Sequence, residues 1–297
     1  MSGPPPELYG YQPEEPRLPA GDRGSRILAP LRVEGARGVA IALVSTVVFF
    51  TVVIVAVLNS SGWPLIKESF FDGDVFAEAF PKILEKFRRN VFIFVTAEIL
   101  VLVVAMAIAV MRSLTGPVFF PLRLLSAAYT DLFRGAPTIL IIALLGFGAP
   151  ALAIRGLPDS DVFWAIIALT LVYSAYVAEV YRAGIQSVHP SQVASARSLG
   201  LSRVKTLRFV VLPQAVRRVI PPLLNDFIGL QKDTALIAFL GYVEALRQAA
   251  IIQSATFDFT PYVALALIYV VITIPQARFV DWLIARDLRQ RQTAAGV

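Results

Sequence analysis

The sequence predicts an all-α membrane protein with about six transmembrane helices. Of its 297 residues, 57% are apolar and only 16% are charged, and the mean hydropathy is +0.68. Soluble proteins carry about 25% charged residues. Several uncharged stretches are long enough to cross the roughly 30 Å hydrocarbon core of a bilayer as helices. Together these observations predict one polytopic membrane domain preceded by a polar tail.

The composition also narrows the possible functions. The net charge of +6 is more typical of basic loops in a membrane protein than of a nucleic-acid partner. The chain has no cysteine and a single histidine, His189, so neither a thiolate nor a histidine-cluster metal site is expected. It contains no GxxxxGK[ST] phosphate-binding run, so any ATP hydrolysis belongs to another chain. We therefore expect neither an enzyme nor a directly bound cofactor.

The first part of the chain predicts a tail, a helix and an external segment. Residues 1–37 are rich in Pro, Gly and charge without apolar periodicity, which predicts a disordered tail. Residues 38–60 hold the first span, an uncharged run at 39–58. We expect 61–90 to lie outside the cytoplasm, with a helix over 75–87 on the membrane interface. The apolar face of that helix consists of Phe76, Ala79, Phe80, Ile83, Leu84 and Phe87.

Five further apolar runs predict the remaining spans, at 91–111, 124–147, 162–181, 216–240 and 261–284. Pro221 and Pro222 near the start of the fifth run predict an interruption of its helix. A mildly polar connection is expected at 241–260. Residues 287–297 are expected to form a C-terminal tail.

The basic residues predict the orientation of these spans. Lys and Arg concentrate in alternate connections, at the N-terminal tail, around 112–134, across 182–218 and after Arg278. Because cytoplasmic loops carry the excess of basic residues, both termini and the segment 187–213 are expected in the cytoplasm. The basic residues between Lys67 and Arg89 run against this rule.

The segment 187–213 reads as a capped pair of short helices between two spans. Pro190 suits the first position of a helix, and Gly200 suits the left-handed position just past a helix end. Ser202 is a candidate N-cap for a second short helix that stops before Pro213. This hairpin is either an ordinary basic cytoplasmic loop or a surface on which a partner docks. Small residues that allow close approach of a partner are Ala194, Ser195 and Ala196.

The same segment resembles the EAA loop of bacterial ABC-transporter permeases. That pattern is Glu-Ala-Ala, three residues, Gly, nine residues, an aliphatic residue, any residue, Leu-Pro. The chain matches it in register from Ser195 and Ala196 through Gly200 to Leu212 and Pro213, and Ala194 stands where the pattern has Glu. Segments 129–140, 174–188 and 224–241 look like the polar amino-acid uptake branch of these permeases.

This resemblance implies a fold and a function. Residues 91–286 would form a type I ABC importer permease domain, with the helix at 38–60 as an addition. The chain would be the permease subunit of an ATP-driven importer of a polar amino acid resembling glutamate, glutamine, arginine or histidine. It would lie in the bacterial cytoplasmic membrane as a multi-pass protein.

The resemblance also implies partners. A separate nucleotide-binding subunit would use ATP and Mg²⁺ and would receive the EAA loop as a coupling helix in a groove. A second permease subunit, identical or different, and an extracytoplasmic binding protein would complete the assembly. The residues expected to couple the chain to the ATPase are Ala194, Ser195, Ala196, Arg197, Gly200, Leu212 and Pro213.

Polar residues inside apolar spans are site candidates because a membrane makes them costly. The substrate-pathway candidates are Tyr176, Glu179, Asp226, Asp233 and Thr234. Structural alternatives remain open for these positions: a Glu179–Arg182 pair three residues apart, and a Lys232–Asp233 network. Arg134 could bind a solute carboxylate or mark the cytoplasmic edge, and Glu98 could be a site or a partly wetted residue.

One alternative function is an ion-coupled secondary transporter of small polar solutes. Glu179, Asp226 and Asp233 would then form an ion relay. The sequence shows no internal repeat of the kind that such transporters often contain.

Overall fold

The computed structural model describes residues 35–114, 116–153 and 155–294, and regular structure in these ranges is helical throughout. The predicted all-α class is therefore confirmed. Helix α1 is Gly35–Leu58 and coincides with the first predicted span. It belongs to a compact unit that ends at Pro64, and a second unit begins at Leu65. The predicted disordered tail lies outside the described residues up to position 34.

Helix α2, Trp63–Phe70, is followed by the long helix α3, Gly73–Ser113. Asp72 caps α3, because its Oδ1 accepts hydrogen bonds from the backbone N–H groups of Asp74 and Val75 at 2.9 Å each. The 41 residues of α3 span about 60 Å, roughly twice the hydrocarbon thickness of a bilayer. About half of α3 therefore extends beyond a single membrane crossing.

The predicted separate surface helix at 75–87 is instead the beginning of α3, which runs without a break through Pro81. The apolar face had a different partner from the one expected. Ala79, Ile83 and Phe87 are buried against a cluster that includes Ala249 and Leu265. An apolar stripe on a helix satisfies a protein core as well as a lipid surface, and the pattern alone does not distinguish them.

The predicted third span is two helices rather than one. After a 3₁₀ turn at Pro117–Phe119, helix α4 covers Phe120–Gly135 and helix α5 covers Thr138–Ala151, with a bend of 103° between them. Ala136 is extended, with φ −93° and ψ 138°. The ring of Pro137 disfavours helical geometry in the residue before it, which accounts for the break.

Helix α6, Asp161–Gln186, is the centre of the bundle and packs against α3, α4 and α5. Its start is capped by Ser160, whose Oγ accepts from the backbone N–H of Phe163 at 3.4 Å. Leu169 and Val172 on this helix are fully buried. This element confirms the fourth predicted span.

The hairpin contains helix α7, Pro190–Ser198, and the short helix α8, Arg203–Thr206. The predicted caps are confirmed: Pro190 begins α7, Gly200 has φ +85°, and Ser202 Oγ accepts from the backbone N–H of Lys205 at 3.3 Å. Arg197 closes the turn by donating to the carbonyl of Leu201 at 2.8 Å.

The second half of the hairpin does not stop before Pro213. A π-helical turn at Leu207–Val211 leads directly into helix α9, Leu212–Asp233. The N–H of Leu212 bonds to the carbonyl of Leu207, five residues back, and Pro213 falls in the first turn of α9. A proline at this position needs no N–H, so the helix continues through it.

The predicted interruption at Pro221 and Pro222 is also wrong, because α9 passes through both. Membrane helices tolerate proline where neighbouring helices support the backbone, and α9 packs against α6 and α11. The helix changes form later, at a 3₁₀ segment Thr234–Leu240 that ends at Gly241 with φ +90°.

Helices α10, Ala245–Thr256, and α11, Thr260–Ala294, complete the chain. Helix α10 occupies the predicted connection at 241–260. Helix α11 contains the predicted sixth span and continues into the predicted tail at 287–297 as far as Ala294. Within the described ranges, four helices are long and apolar enough to cross a membrane, or up to six if each of two bent pairs is one span.

Candidate functional site

A cleft of about 420 Å³ is lined by α4, α6 and α9. It brings together three of the predicted pathway residues, Tyr176, Glu179 and Asp226, and places Arg134 beside them. Asp233 and Thr234 do not line it. The cleft thus contains both signs of charge and an aromatic hydroxyl within one concave surface.

Glu179 is held by two guanidinium groups. Arg182, three residues on, donates from its Nη2 at 2.5 Å and its Nε at 3.0 Å, as the sequence spacing suggested. Arg112 at the end of α3 contacts the other carboxylate oxygen and also donates to Thr130 at 2.9 Å. The side chain of Glu179 is only 15% exposed. Its charge is therefore largely committed to tying α3 to α6.

Asp226 differs from Glu179 because one of its carboxylate oxygens is buried without a partner among the described residues. Its Oδ2 is buried, and no hydrogen bond reaches that atom from the part of the chain that the structure describes. A buried carboxylate oxygen without a partner carries a desolvation cost that a bound donor removes. Asp226 is consequently the acidic group of the cleft whose charge no ion pair neutralises among the described residues.

Arg134 and Tyr176 form the opposite side of the cleft. The guanidinium of Arg134 lies 5.6 Å from the ring centroid of Tyr176, within the range of a cation–π contact. The Tyr176 hydroxyl donates to the carbonyl of Arg134 at 3.3 Å. These contacts fix the tyrosine at the end of α4, beside the break at Ala136.

Asp233 lies on the same face of α9 as Asp226 but has a structural partner. The hydroxyl of Tyr173 donates to Asp233 Oδ2 at 2.9 Å. The same hydroxyl lies 3.1 Å from where a Cβ on Gly229 would stand, so the tyrosine crosses α9 at its glycine. Among the described residues no ion pair joins Lys232 to Asp233, so the alternative Lys232–Asp233 network is not observed.

Thr234 lies in a buried polar cluster away from the cleft. It is fully buried, accepts from Asn90 Nδ2 at 3.3 Å and donates to the carbonyl of Gln231 at 2.7 Å. Asn90 also bonds Glu244, which is itself fully buried. The sequence did not predict a role for Asn90 or for Glu244. The signal for Glu244 was an acidic residue directly before an apolar helical run, which is the N-cap position of α10.

The hairpin presents most of its predicted coupling residues at the surface. Ala194, Ser195, Arg197 and Gly200 are exposed, as are Leu212 and Pro213, whereas Ala196 is 95% buried and faces inward. Large apolar side chains are exposed around them. These are Leu199, Val204, Leu207 and Phe209. Exposed apolar side chains gathered on a basic loop are typical of a protein docking surface.

A bundle of membrane-length helices with a charged cleft and an exposed apolar hairpin is typical of membrane transport components. Residues 113–287 match the family described as the binding-protein-dependent transport system inner membrane component. The match covers more than half of the chain, and the chain belongs to this family.

Curated relatives and a solved structure extend the comparison. The chain is 39% identical over 183 residues to the "Probable glutamine ABC transporter permease protein GlnM" of Bacillus subtilis, across 61% of this chain and 82% of that one. It is 32% identical over 196 residues to the "Arginine transport system permease protein ArtQ" of Bacillus subtilis, across 65% and 87%. A crystal structure of an amino acid ABC transporter with histidines has a TM-score of 0.66 and 30% identity, over 72% of this chain and 98% of that one.

Proposed function

We propose that this chain is the permease subunit of an ATP-driven importer that moves a polar amino acid across the cytoplasmic membrane. The observation that carries the proposal is the exposed hairpin between α6 and α9, because the same two helices line the charged cleft. A partner that moves the hairpin therefore acts on the walls of the cleft. Membership of a binding-protein-dependent transport family supports this assignment.

The partners follow from the hairpin and from the family. A separate nucleotide-binding subunit receives the coupling residues and hydrolyses ATP with Mg²⁺, a second permease subunit completes the membrane part, and an extracytoplasmic binding protein delivers the solute. The distribution of Lys and Arg supports a cytoplasmic hairpin and cytoplasmic termini. Under this orientation the end of the bundle opposite the hairpin faces the binding protein.

The charges of the cleft support an amino-acid solute. Asp226 offers an unpartnered carboxylate to an ammonium group, and Arg134 offers a guanidinium to a carboxylate. A zwitterion carries a binding partner for each of these groups. The names of two relatives, which specify glutamine and arginine, support the same class.

Reconstitution tests the proposal. The chain is purified with its ATPase subunit, placed in proteoliposomes and offered binding protein loaded with single amino acids. We expect both ATP hydrolysis and uptake of labelled solute to rise with the cognate amino acid. Proteoliposomes without ATP serve as the control.

The same experiment distinguishes the ATP-driven importer from an ion-coupled secondary transporter. A relay through Glu179 is disfavoured because that carboxylate is already bound by Arg112 and Arg182. Uptake driven by a proton or sodium gradient in the absence of the ATPase would overturn the importer proposal.

A further inference from the structure

The two ends of the hairpin are joined by one arginine. Helix α6 ends at Gln186, and Ser187 follows it as the C-cap. Arg218 on α9 donates from its Nη1 to the carbonyl oxygen of Ser187. The last carbonyls of a helix lack partners within the helix and carry partial negative charge, so a guanidinium there is favourable. Arg218 therefore closes the end of α6 from the neighbouring helix.

The backbones of α6 and α9 meet at the same level. Gly184 is buried, and a Cβ on it would stand 2.1 Å from Val219 Cγ1 and 3.4 Å from the carbonyl oxygen of Ala215. With Val219 opposite, this approach favours glycine, because a Cβ at position 184 would collide with Val219 Cγ1 and force that side chain or the helices to shift. The glycine contact and the arginine bond together form a joint between α6 and α9, made of Gly184, Ser187, Arg218 and Val219.

This joint lies between the hairpin and the cleft. Ser187 stands two residues before the N-cap of α7, His189, and α9 begins at the other end of the hairpin. Gly184, Ser187 and Arg218 also line the cleft. A displacement of α7 thus reaches the cleft through the residues of the joint.

We propose that Arg218 is a positioning residue that transmits movement of the hairpin to the cleft. It does so by holding the end of α6 to α9, so that the hairpin and these two cleft-lining helices move as one body. This inference rests on the proposed ATP-driven function and adds to it the element that keeps hydrolysis and transport in step. Without the bond between Arg218 and Ser187, the hairpin still moves with the ATPase subunit, but α6 and α9 do not move together at the cleft.

The chain offers a matched control in the adjacent residue. Arg217 has the same charge and lies on the same helix but is exposed, and no hydrogen bond or ion pair is formed by its side chain among the described residues. Arg218→Ala, Arg218→Lys and Arg217→Ala are each reconstituted with the ATPase subunit. ATP hydrolysed and solute transported are measured on the same vesicles.

We expect Arg218→Ala to raise the ATP hydrolysed per solute transported by about tenfold, since a hydrogen bond to a charged group is lost. Arg218→Lys restores part of the coupling, and Arg217→Ala leaves it unchanged. Copurification of the ATPase subunit with each variant checks that the complex assembles. An unchanged ratio in Arg218→Ala, with an assembled complex, would overturn the inference.

A second pair of variants tests the joint independently of charge. Gly184→Ala places a methyl group against Val219, so it should uncouple hydrolysis from transport in the same way. Val219→Ala in that background removes Cγ1, the atom of the collision, and should restore coupling. If Gly184→Ala keeps normal coupling, or if the double variant does not restore it, the proposed joint is contradicted. If the unaltered protein shows no stimulated hydrolysis, the proposed function fails instead, which keeps the two outcomes distinct.

Discussion

Asn90 donates a hydrogen bond of 2.8 Å to Glu244, a residue 154 positions away in the sequence. Asn90 Oδ1 in turn accepts from the backbone N–H of Ala245 at 3.1 Å. Glu244 caps α10 by accepting from Leu246 and Arg247 at 2.9 and 2.8 Å. One pair of side chains therefore fixes the middle of α3 to the start of α10.

Replacement of Asn90 by leucine should destabilise the protein. Asn90→Leu removes a donor and an acceptor while keeping the branching and number of side-chain heavy atoms. It leaves the buried backbone N–H of Ala245 without its acceptor and removes one of the donors to the buried Glu244. We expect the free energy of unfolding to fall by about 1–3 kcal/mol. Unfolding in detergent measures this, with Asn225→Leu at an exposed position of α9 as the control. Equal stability of the two variants would contradict a structural role for Asn90.

Gly200 should tolerate only residues that accept left-handed geometry. Its φ of +85° makes Gly200→Val strained, and the turn that Arg197 closes should open. We expect Gly200→Val to abolish stimulation of the ATPase subunit, whereas Gly200→Asn retains most of it. Gly148→Val is the control, since a Cβ at that position meets no atom within 4 Å. Full stimulation of Gly200→Val would remove the docking role of the turn.

Asp226 should matter for transport and not for stability. Because no hydrogen bond reaches its buried Oδ2 within the described ranges, Asp226→Asn should leave the unfolding temperature unchanged or raise it. If the carboxylate binds the ammonium of the solute, the KM for uptake should rise about tenfold. Asp159→Asn in an exposed loop is the control. A fall in stability with an unchanged KM would assign Asp226 to the scaffold instead.

Glu179 should show the reverse behaviour. Glu179→Gln leaves Arg112 and Arg182 facing each other without a counter-charge. Because these ion pairs are only partly buried, we expect a cost between that of an exposed pair, about 1 kcal/mol, and that of a buried one, about 3 kcal/mol. Arg182→Gln should cost less, because Arg112 remains on the carboxylate and Arg182 is more exposed. The double variant should recover part of the loss, and denaturant unfolding of all three measures the coupling. Strict additivity would show that the ion pair contributes nothing.

The helical class and the hairpin caps could be predicted because each depends on local sequence. Uncharged length predicted the spans, and Pro190, Gly200 and Ser202 predicted the turns, since proline fixes its own φ, glycine permits a positive φ and serine caps a helix. The effect of proline inside a helix could not be predicted in the same way. The ring of Pro137 holds Ala136 in an extended conformation and ends a helix, whereas Pro81 and Pro275 lie within helices. Whether neighbouring helices compensate for the lost hydrogen bond depends on packing that the local sequence does not show.

The candidate site was only partly predictable, for a related reason. Tyr176, Glu179 and Asp226 were recognised because charge and hydroxyl groups are unusual within an apolar span. Arg112 and Arg218 were counted only as loop cations. Their partners, Glu179 and the carbonyl of Ser187, lie 67 and 31 positions away, and no local pattern marks such pairs. Thr234 was assigned to the pathway because a span contains it, although its neighbours in space are Asn90 and Gln231.

The uninterrupted length of α3 makes this helix a lever. Arg112 ties one end of it to α6, and Asn90 ties its middle to α10. With Asn90 as the fulcrum, the arms of this rod are about 33 Å towards Arg112 and about 27 Å towards Asp72, so a tilt of about 10° moves the two ends by about 6 Å and about 5 Å. A rearrangement of a few ångströms around Glu179 is thereby passed to Asp72 with a similar size and the opposite direction, because Asp72 lies on the other side of the fulcrum at Asn90.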